Sequence, residues 1–470
     1  MFSAVVLVLL CLFVSFAIVA RCGALKYPRN TVGFLHPSAA AGGGGERVLW
    51  VAINSLQQHD IKSGINRIYV LYCTRFGGGN EDGGAEPQRE QLKRIVQQQF
   101  HITLQRPIKV VCLRPGITKW LDGNQYPFLT LLLQAVCGSI LLFYESCLVN
   151  SITPTVIESV GIPGTYPLLS IFAGVRIITY THYPIITQAM TQRVENGETR
   201  FNNRSFVARY GVLRKVKVFY YRLFAKLYRW MGNFPDLVMA NSTWTMKHLQ
   251  QLWGSTVPVL VYPPCAVSHL TSLRKTPDER SNTIVSVGQF RPEKNHMLQL
   301  KSFIHALPQL PADARLIMIG GVRNREDERR AAAVKEAAAQ LGVAERVDVL
   351  VGASFNEVSS LLAQCCIGLH TMEDEHFGIV LVEYMACGCI PLGHGSGGVA
   401  LDIVTSPDIG FLATTEAEYA ECMVKIFRIK NEKPEEYKGF QERGLASIGR
   451  FSDEAFSNNF TEAIGPHLIS

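Results

Sequence analysis

The stretch that most constrains the fold of this chain covers residues 368–402 and reads GLHTMEDEHFGIVLVEYMACGCIPLGHGSGGVALD. It begins as a buried strand, passes through an acidic loop and continues as a short apolar helix. We expect that helix to end at Gly388, because glycine readily takes the left-handed conformation that closes a helix. A second buried strand, a glycine-rich turn and another helix start follow. This alternation is typical of a parallel α/β sheet.

Two carboxylates in this stretch are candidates for a ligand site. Glu375 and Glu383 are eight residues apart, which on a single helix would separate them by about two turns. If Glu375 lies in the loop and Glu383 on the helix, both can face the carboxyl end of the strand, where open α/β sheets bind ligands. Two solvated glutamates are the alternative interpretation. The HFG triplet at 376–378 and the GSGG turn at 395–398 favour a ligand site.

The length of 470 residues and the 47% hydrophobic content suit two domains of about 200 residues each. We place a first α/β domain at 31–265 and a second at 281–445, joined by a polar linker. A last helix is expected at 446–470, and its return to the first domain is left open. The net charge of +7 suits a neighbourhood of anionic lipid or phosphate and does not point to nucleic acid.

The twelve cysteines indicate a reducing compartment. They are scattered, without the paired spacing of a zinc site, and several lie inside apolar patterns as free buried thiols do.

The first residues predict a membrane anchor at 1–25. Residues 2–20 form an uncharged segment that is long enough to span a bilayer. Basic residues follow this segment, and none precedes it. The positive-inside rule then places the rest of the chain in the cytosol. The alternative is an exporting signal, which would open the sequons at Asn203, Asn241 and Asn459 to glycosylation.

Glycines follow the first strand, at Gly42, Gly43, Gly44 and Gly45, and lead through Glu46 into a predicted helix. Backbone N–H groups there can approach a ligand closely, and a helix N-terminus favours an anion. The spacing is not that of a mononucleotide- or dinucleotide-binding loop. A flexible turn is the alternative interpretation.

Two further segments of the first domain raise the question of membrane contact. Residues 128–148 carry only Glu145 as a charge and are either a membrane-dipping segment or a buried helix. Residues 213–231 are basic and aromatic, which fits a helix on an anionic membrane surface and equally an amphipathic core helix with snorkelling side chains.

The second domain opens with a strand at 283–287, followed by a loop with Arg291 and Lys294 and then a helix. Cations and a helix N-terminus at one point suit a leaving diphosphate, whose developing charge they can stabilise in place of a metal. Alone, these two residues would be read as an ordinary solvated loop.

Several motifs together resemble one family: GGGGERVLW at 42–50, YTHYP at 180–184, NSTWT at 241–245, GQFRPEKNH at 288–296, EHFGI at 375–379, SGG at 396–398 and LDI at 401–403. Over nearly its whole length the chain closely resembles the eukaryotic GDP-mannose-dependent α-1,2-mannosyltransferases of the dolichol-linked oligosaccharide pathway, which belong to glycosyltransferase family 4. The resemblance implies a GT-B fold: two Rossmann-like domains facing a cleft, with an N-terminal membrane anchor.

The resemblance also implies an activity. Such enzymes transfer mannose from GDP-mannose, with retention and in α-1,2 linkage, to Man3GlcNAc2-diphosphodolichol on the cytosolic face of the endoplasmic reticulum. They add the fourth and fifth mannoses; whether this chain adds one or both is left open. No metal and no other cofactor is expected. The implied partners are GDP-mannose, the dolichol-diphosphate oligosaccharide and the endoplasmic reticulum membrane, with other mannosyltransferases of the pathway as candidates and no nucleic acid.

Site residues follow from the resemblance by position. The catalytic residues it implies are His182, Arg291, Lys294 and Glu375. The donor-binding residues it implies are Gly288, Arg291, Lys294, Glu375, His376, Phe377, Gly378, Ile379 and Glu383. The loop for acceptor and diphosphate that it implies consists of Gly43, Gly44, Gly45 and Glu46.

Individual roles are implied in the same way. Lys294 would hold the diphosphate, Glu375 the mannose hydroxyls and Glu383 the donor ribose. The backbone of 377–378 would lie beside the sugar, and His182 would contact the transferred sugar or the reaction centre.

The chain departs from the expected pattern at two positions. Gln289 stands where the wider superfamily often has arginine, for which Arg291 is the candidate substitute, and His394 stands in a turn where asparagine before the serine is expected. Asp402 supports the glycine-rich turn or has a helix-surface role. The alternative functions are a related mannosyltransferase with another lipid-linked acceptor and a non-catalytic GT-B scaffold.

Overall fold

This computed structural model describes residues 18–22, 26–41, 43–74, 85–114, 116–126, 128–197, 211–254 and 256–468. Most of the predicted anchor, Gly42 and the sequon at Asn203 lie outside these residues. The chain forms two compact units, of which the first comprises the residues up to 241, 245–261 and 457–470, and the second comprises 242–244 and 262–456. Each unit is built on one parallel sheet. The prediction of two Rossmann-like α/β domains is therefore confirmed.

The first sheet has seven parallel strands in the order β3-β2-β1-β4-β5-β6-β7. Their bounds are β1 Thr31–Leu35, β2 Ile68–Thr74, β3 Ile108–Leu113, β4 Thr155–Glu158, β5 Arg176–Thr181, β6 Leu237–Ala240 and β7 Val259–Leu260. Strands β1 and β4 are buried along their whole length, as expected where both faces of a parallel sheet are covered by helices. The amino-acid pattern does not predict β4, because its four residues are too few for a clear apolar run.

The helices of the first unit surround this sheet. Their bounds are Gly44–Lys62, Ala85–Phe100, Ile117–Leu121, Thr130–Leu133, Ser139–Phe143, Thr165–Pro167, Gln188–Glu195, Gly211–Met231 and Thr243–Trp253, with most of the last helix, Asp453–Ile464. The helix Gly44–Lys62 already begins within the glycines that the sequence places before it. Gly43 is its N-cap, and the Glu46 side chain caps the helix start by accepting from the Gly43 N–H at 2.7 Å.

A single apolar helical stretch, Thr130–Val149, is long and apolar enough to span a membrane among the residues that the structure describes. It alternates α-helical and π-helical turns. One side packs into the core of the first unit through Ala135, Leu142 and Phe143, while Ile140 is 53% exposed. The stretch is thus a partly buried helix with an apolar exposed side.

The second sheet has six parallel strands in the order β10-β9-β8-β11-β12-β13. Their bounds are β8 Thr283–Val287, β9 Arg315–Gly320, β10 Val347–Val351, β11 Ile367–Leu369, β12 Ile390–His394 and β13 Phe411–Ala413. The main helices of this unit are Val267–Thr271, His296–Ala306, Arg325–Gln340, Phe355–Gln364, Ile379–Cys387, Glu416–Glu432 and Pro434–Ser447. Ser354 and Glu357 form a capping box at the start of the helix Phe355–Gln364. The sequence does not predict the helix Pro434–Ser447, because most of its residues are polar and its buried Tyr437 and Phe440 do not form a clear apolar pattern.

Candidate active site

Glu375 lies in the loop after β11, and two side chains donate to the same oxygen of its carboxylate. Lys294 Nζ is 2.5 Å from Glu375 Oε2, and His370 Nε2 is 2.9 Å from it. The Glu375 side chain is only 14% exposed. Burial alone would raise the pKa of Glu375, but the Lys294 ammonium and the His370 hydrogen bond outweigh burial and hold that pKa well below its usual range. The carboxylate is therefore ionised and anchored at one oxygen.

The glycine-rich turn after β12 holds the backbone of this loop. Gly398 N–H donates to the Glu375 carbonyl at 2.7 Å, and Asp374 N–H donates to Ser396 Oγ at 2.8 Å. A Cβ on Gly397, whose φ is +70°, would lie 2.3 Å from the Glu375 carbonyl oxygen, and one on Gly398 would lie 2.3 Å from that of His376. Only glycine allows so close an approach. The SGG motif therefore positions the acidic loop.

Lys294 reaches Glu375 from a tightly held turn. The turn Pro292–Lys294 precedes the helix His296–Ala306, and Thr371 Oγ donates to the Lys294 carbonyl at 2.8 Å. The Lys294 side chain passes Gly288, where an added Cβ would lie 3.5 Å from its Cδ. Thus the structure brings Gly288, Lys294 and Glu375 together.

Arg291 takes a different direction from Lys294. Its guanidinium lies 3.7 Å from Glu293, and its side chain is 32% exposed. Partial burial and the nearby Arg323 lower the pKa of Arg291, while Glu293 raises it. Among the residues that the structure describes, Arg291 makes no ion pair with Glu375.

The helix Ile379–Cys387 carries the second carboxylate. Gly378 is its N-cap with a φ of +102°, and Gly388 ends it with a φ of +85°, as predicted from the sequence. Glu383 lies on this helix at a half-buried position, with Glu375 in the loop before it. Ile379 opens the first turn, so the N–H groups of this end are directed back toward the acidic loop.

Phe377 and His376, between the two carboxylates, have different surroundings. Phe377 is 4% exposed, and its ring packs against those of Tyr262 and Phe451. A ligand can therefore meet only the backbone of Phe377. The His376 ring lies 5.1 Å from that of Trp244.

The first unit has a separate cluster at the carboxyl ends of β1 and β5. His182 follows β5, and a Cβ on Gly45 would lie 3.6 Å from His182 Nε2. The His182 ring lies 5.1 Å from that of Tyr180. The structure thus places His182 beside the glycine-rich helix start, whereas a Cβ on Gly44 would meet no atom within 4 Å.

Glu46 acts within this cluster as a structural cap. One oxygen accepts from Gly43 N–H, and the other lies 3.4 Å from His36 Nε2. His36 Nδ1 is in turn 2.9 Å from Ser159 Oγ. Burial raises the pKa of Glu46, but His36 and the backbone N–H groups that bond to the carboxylate together outweigh burial, so that this pKa is lowered. Its side chain therefore fixes the helix start.

The sequence patterns gave no role to His370 or His36, and they included Ser396 only as part of the SGG motif, without its bond to the acidic loop. The signal for His370 was available, because it follows β11 directly, where side chains at the carboxyl end of a strand reach a ligand site. Asp402 differs from both interpretations given for it. Asp402 is buried, and its carboxylate accepts from the Thr243 N–H at 2.9 Å and from the Tyr262 hydroxyl at 3.0 Å. It therefore links the backbone at Thr243 to the Tyr262 side chain within the second unit.

Comparison with known proteins follows the same division of the chain. A family profile described as ALG11 mannosyltransferase N-terminus matches residues 29–253, and one described as Glycosyl transferases group 1 matches residues 272–444. The GDP-Man:Man(3)GlcNAc(2)-PP-Dol alpha-1,2-mannosyltransferase of Mus musculus is 39% identical over 92% of this chain and 86% of its own length. The Xenopus laevis enzyme of the same name is 38% identical over 93% of this chain and 88% of its own length.

Solved structures share the fold at low sequence identity. Anabaena HepE in complex with UDP and glucose is 17% identical, with a TM-score of 0.61 over 93% of this chain and 99% of its own. Sucrose-phosphate synthase from Thermosynechococcus elongatus is 14% identical, with a TM-score of 0.62 over 93% and 98%. These likenesses show a GT-B type of fold.

Proposed function

The chain belongs to the ALG11 mannosyltransferase family, and from this membership we propose that it transfers mannose from GDP-mannose to Man3GlcNAc2-diphosphodolichol in α-1,2 linkage. The observation that carries the proposal is the pair of Lys294 and Glu375 at the carboxyl end of the second sheet. A cation for the diphosphate and a carboxylate for the sugar hydroxyls meet there. A mostly buried charge pair with a depressed carboxylate pKa, in a loop at the carboxyl end of a strand, is typical of a functional site.

The donor would bind along this edge of the second unit. Lys294 and the N-terminus of the helix His296–Ala306 suit the diphosphate, because both present positive charge to it. Glu375 suits the mannose hydroxyls and Glu383 the ribose. The backbone groups of residues 376–379 lie beside the same loop, and Arg291 adds a second cation near the turn.

The reaction would proceed on one face of the sugar. The bond between the anomeric carbon and the diphosphate oxygen breaks, the acceptor 2-hydroxyl oxygen forms the new bond, and its proton passes to the departing phosphate. Lys294 stabilises the charge that develops on the diphosphate, which is the step where preorganised cations accelerate most. We propose that no metal takes part and that His182 contacts the transferred sugar.

The glycine-rich helix start of the first unit is proposed to receive the acceptor diphosphate. Gly44 and Gly45 present backbone N–H groups at this helix N-terminus, whereas the Gly43 N–H donates to the Glu46 carboxylate, which fixes the helix start. A negative group gains from the partial positive charge at such an end.

Membrane attachment is proposed through the N-terminal segment 1–25 and the exposed side of the helix Gly211–Met231, with the catalytic units on the cytosolic face of the endoplasmic reticulum. This helix buries Tyr221, Phe224 and Tyr228, yet Phe219 is 68% exposed and Leu223 53%. The basic residues of the same helix are Arg214, Lys215, Lys217, Arg222, Lys226 and Arg229. Exposed apolar and basic side chains together suit an anionic lipid surface.

The test uses the full chain in detergent, radiolabelled GDP-mannose and a Man3GlcNAc2-diphospholipid acceptor, with EDTA present. We expect a product larger by hexose units and sensitive to α-1,2-mannosidase, and its size shows whether one or two mannoses are added. No transfer by the wild-type chain, either with EDTA or with an added divalent metal, would reject the proposed activity. Transfer only after addition of a divalent metal would reject metal independence alone.

A further inference from the structure

We propose that His370 is a positioning residue, which holds Glu375 in place when Lys294 leaves it for the diphosphate of the donor. The inference rests on the proposed function and adds a residue to it. His370 belongs to none of the motifs that carry the family resemblance.

The geometry shows two donors for one acceptor. Lys294 Nζ and His370 Nε2 both bond to Glu375 Oε2, at 2.5 and 2.9 Å, and Oε1 has no bond to any residue that the structure describes. Oε1 can therefore accept from a sugar hydroxyl without disturbing the two bonds to Oε2. Because those bonds fix Oε2, they also fix the direction in which Oε1 points.

Lys294 has two possible anions once a donor is bound. The ammonium neutralises Glu375 in the absence of donor, whereas a diphosphate offers it a greater negative charge and stronger, charge-assisted hydrogen bonds. As Lys294 turns to the phosphate, Glu375 loses its counter-ion while still mostly buried. A carboxylate in that position is costly unless another donor remains.

His370 is suited to be that remaining donor. It is 2% exposed, its backbone N–H donates to the Leu392 carbonyl at 2.9 Å, and its carbonyl accepts from the Tyr419 hydroxyl at 3.2 Å. Burial lowers the pKa of His370 and the bond to Glu375 only partly offsets this. The ring is therefore neutral, and with a carboxylate as its neighbour its proton is on Nε2.

The ring of a neutral histidine does not compete with Lys294 for the phosphate, because it carries no positive charge. It is also held by the strand, so it stays in place as Lys294 moves. His370 thereby keeps the carboxylate ready for the sugar, while Lys294 serves the diphosphate.

The experiment compares the dissociation constants of GDP and GDP-mannose, measured by titration calorimetry on the full chain in detergent. His370→Leu removes the donor at similar volume, and His370→Gln retains an N–H group that reaches the same oxygen. We expect His370→Leu to weaken GDP-mannose binding about tenfold while GDP binding is nearly unchanged. His370→Gln should restore most of the loss. A residue that only fills the core would affect both ligands alike.

A double substitution tests whether His370 acts through Glu375. In the Glu375→Ala background, His370→Leu should cause no further change in the ratio of the two dissociation constants. The inference is overturned if that ratio is unchanged in His370→Leu, if His370→Gln is as impaired as His370→Leu, or if the two substitutions are additive. A wild-type chain that binds neither GDP nor GDP-mannose would overturn the proposed donor as well.

Discussion

Lys294 and Glu375 are separated by 81 residues in the chain and meet through a 2.5 Å contact between Nζ and Oε2. Their side chains are 22% and 14% exposed, so the charges interact in surroundings where water screens them little. Each is also held by its own backbone, Lys294 through Thr371 and Glu375 through Gly398. The contact joins the two loops that follow β8 and β11, and several consequences can be measured.

Replacing Glu375 by glutamine should lower kcat/KM about a hundredfold or more, because the amide cannot hold the sugar hydroxyls as a carboxylate does. Initial rates with radiolabelled GDP-mannose measure the effect. The matched control is Glu373→Gln, which makes the same change at an exposed position of the same loop and should stay near the wild-type rate. Equal rates for the two variants would contradict the role of Glu375.

Replacing Lys294 by methionine should weaken GDP binding about tenfold to a hundredfold, because the charge-assisted contact to the diphosphate is lost while the length of the side chain is kept. Titration with GDP measures this. Lys301→Met, an exposed position on the helix His296–Ala306, serves as the control. If both variants bind GDP as tightly as the wild type, Lys294 does not hold the diphosphate.

The depressed pKa of Glu375 predicts a pH dependence of stability. A carboxylate with a pKa lowered by folding stabilises the native state above its unfolded pKa of about 4.3 and loses this contribution as the pH falls through the folded value. The difference in unfolding free energy between the wild type and Glu375→Gln should therefore be constant from about pH 6 to pH 8 and change only in acid. Denaturant titrations across this range measure it. A difference that already changes near neutral pH would mean that the pKa is not depressed.

Gly397→Ala should disable the site while leaving the fold intact. The new Cβ would lie 2.3 Å from the Glu375 carbonyl oxygen at a φ of +70°, so the acidic loop must move, and the left-handed conformation adds about 1–2 kcal/mol of strain. We expect a large loss of kcat with a modest fall in Tm. Gly449→Ala is the control, since a Cβ there meets no atom within 4 Å. Full activity of Gly397→Ala would show that the turn does not position Glu375.

The sequence predicts strands and their flanking loops well, since Rossmann-like strands are continuous apolar runs. Strand β8, for example, has the bounds that the sequence predicts, 283–287. Local chemistry also predicts the end of the helix at Gly388. Contacts between distant segments are different, because no spacing indicates that His370 and Lys294 share one oxygen of Glu375. For the same reason the sequence does not distinguish a ligand-binding Glu46 from the capping residue that the structure contains.

The exposed side of the helix Gly211–Met231 gives the last prediction. If this side lies on an anionic membrane, Leu223→Glu should raise the KM for an acceptor embedded in phosphatidylserine-containing vesicles, because an apolar contact of about 1.5–3 kcal/mol is replaced by repulsion. The KM for a water-soluble short-chain acceptor should not change. The control is Leu341→Glu, the same substitution at a leucine of the second unit. Leu341 is 51% exposed and Leu223 is 53% exposed. Equal effects of the two substitutions with the vesicle acceptor would remove the membrane role from this helix, and the anchor at 1–25 would then be left as the proposed attachment.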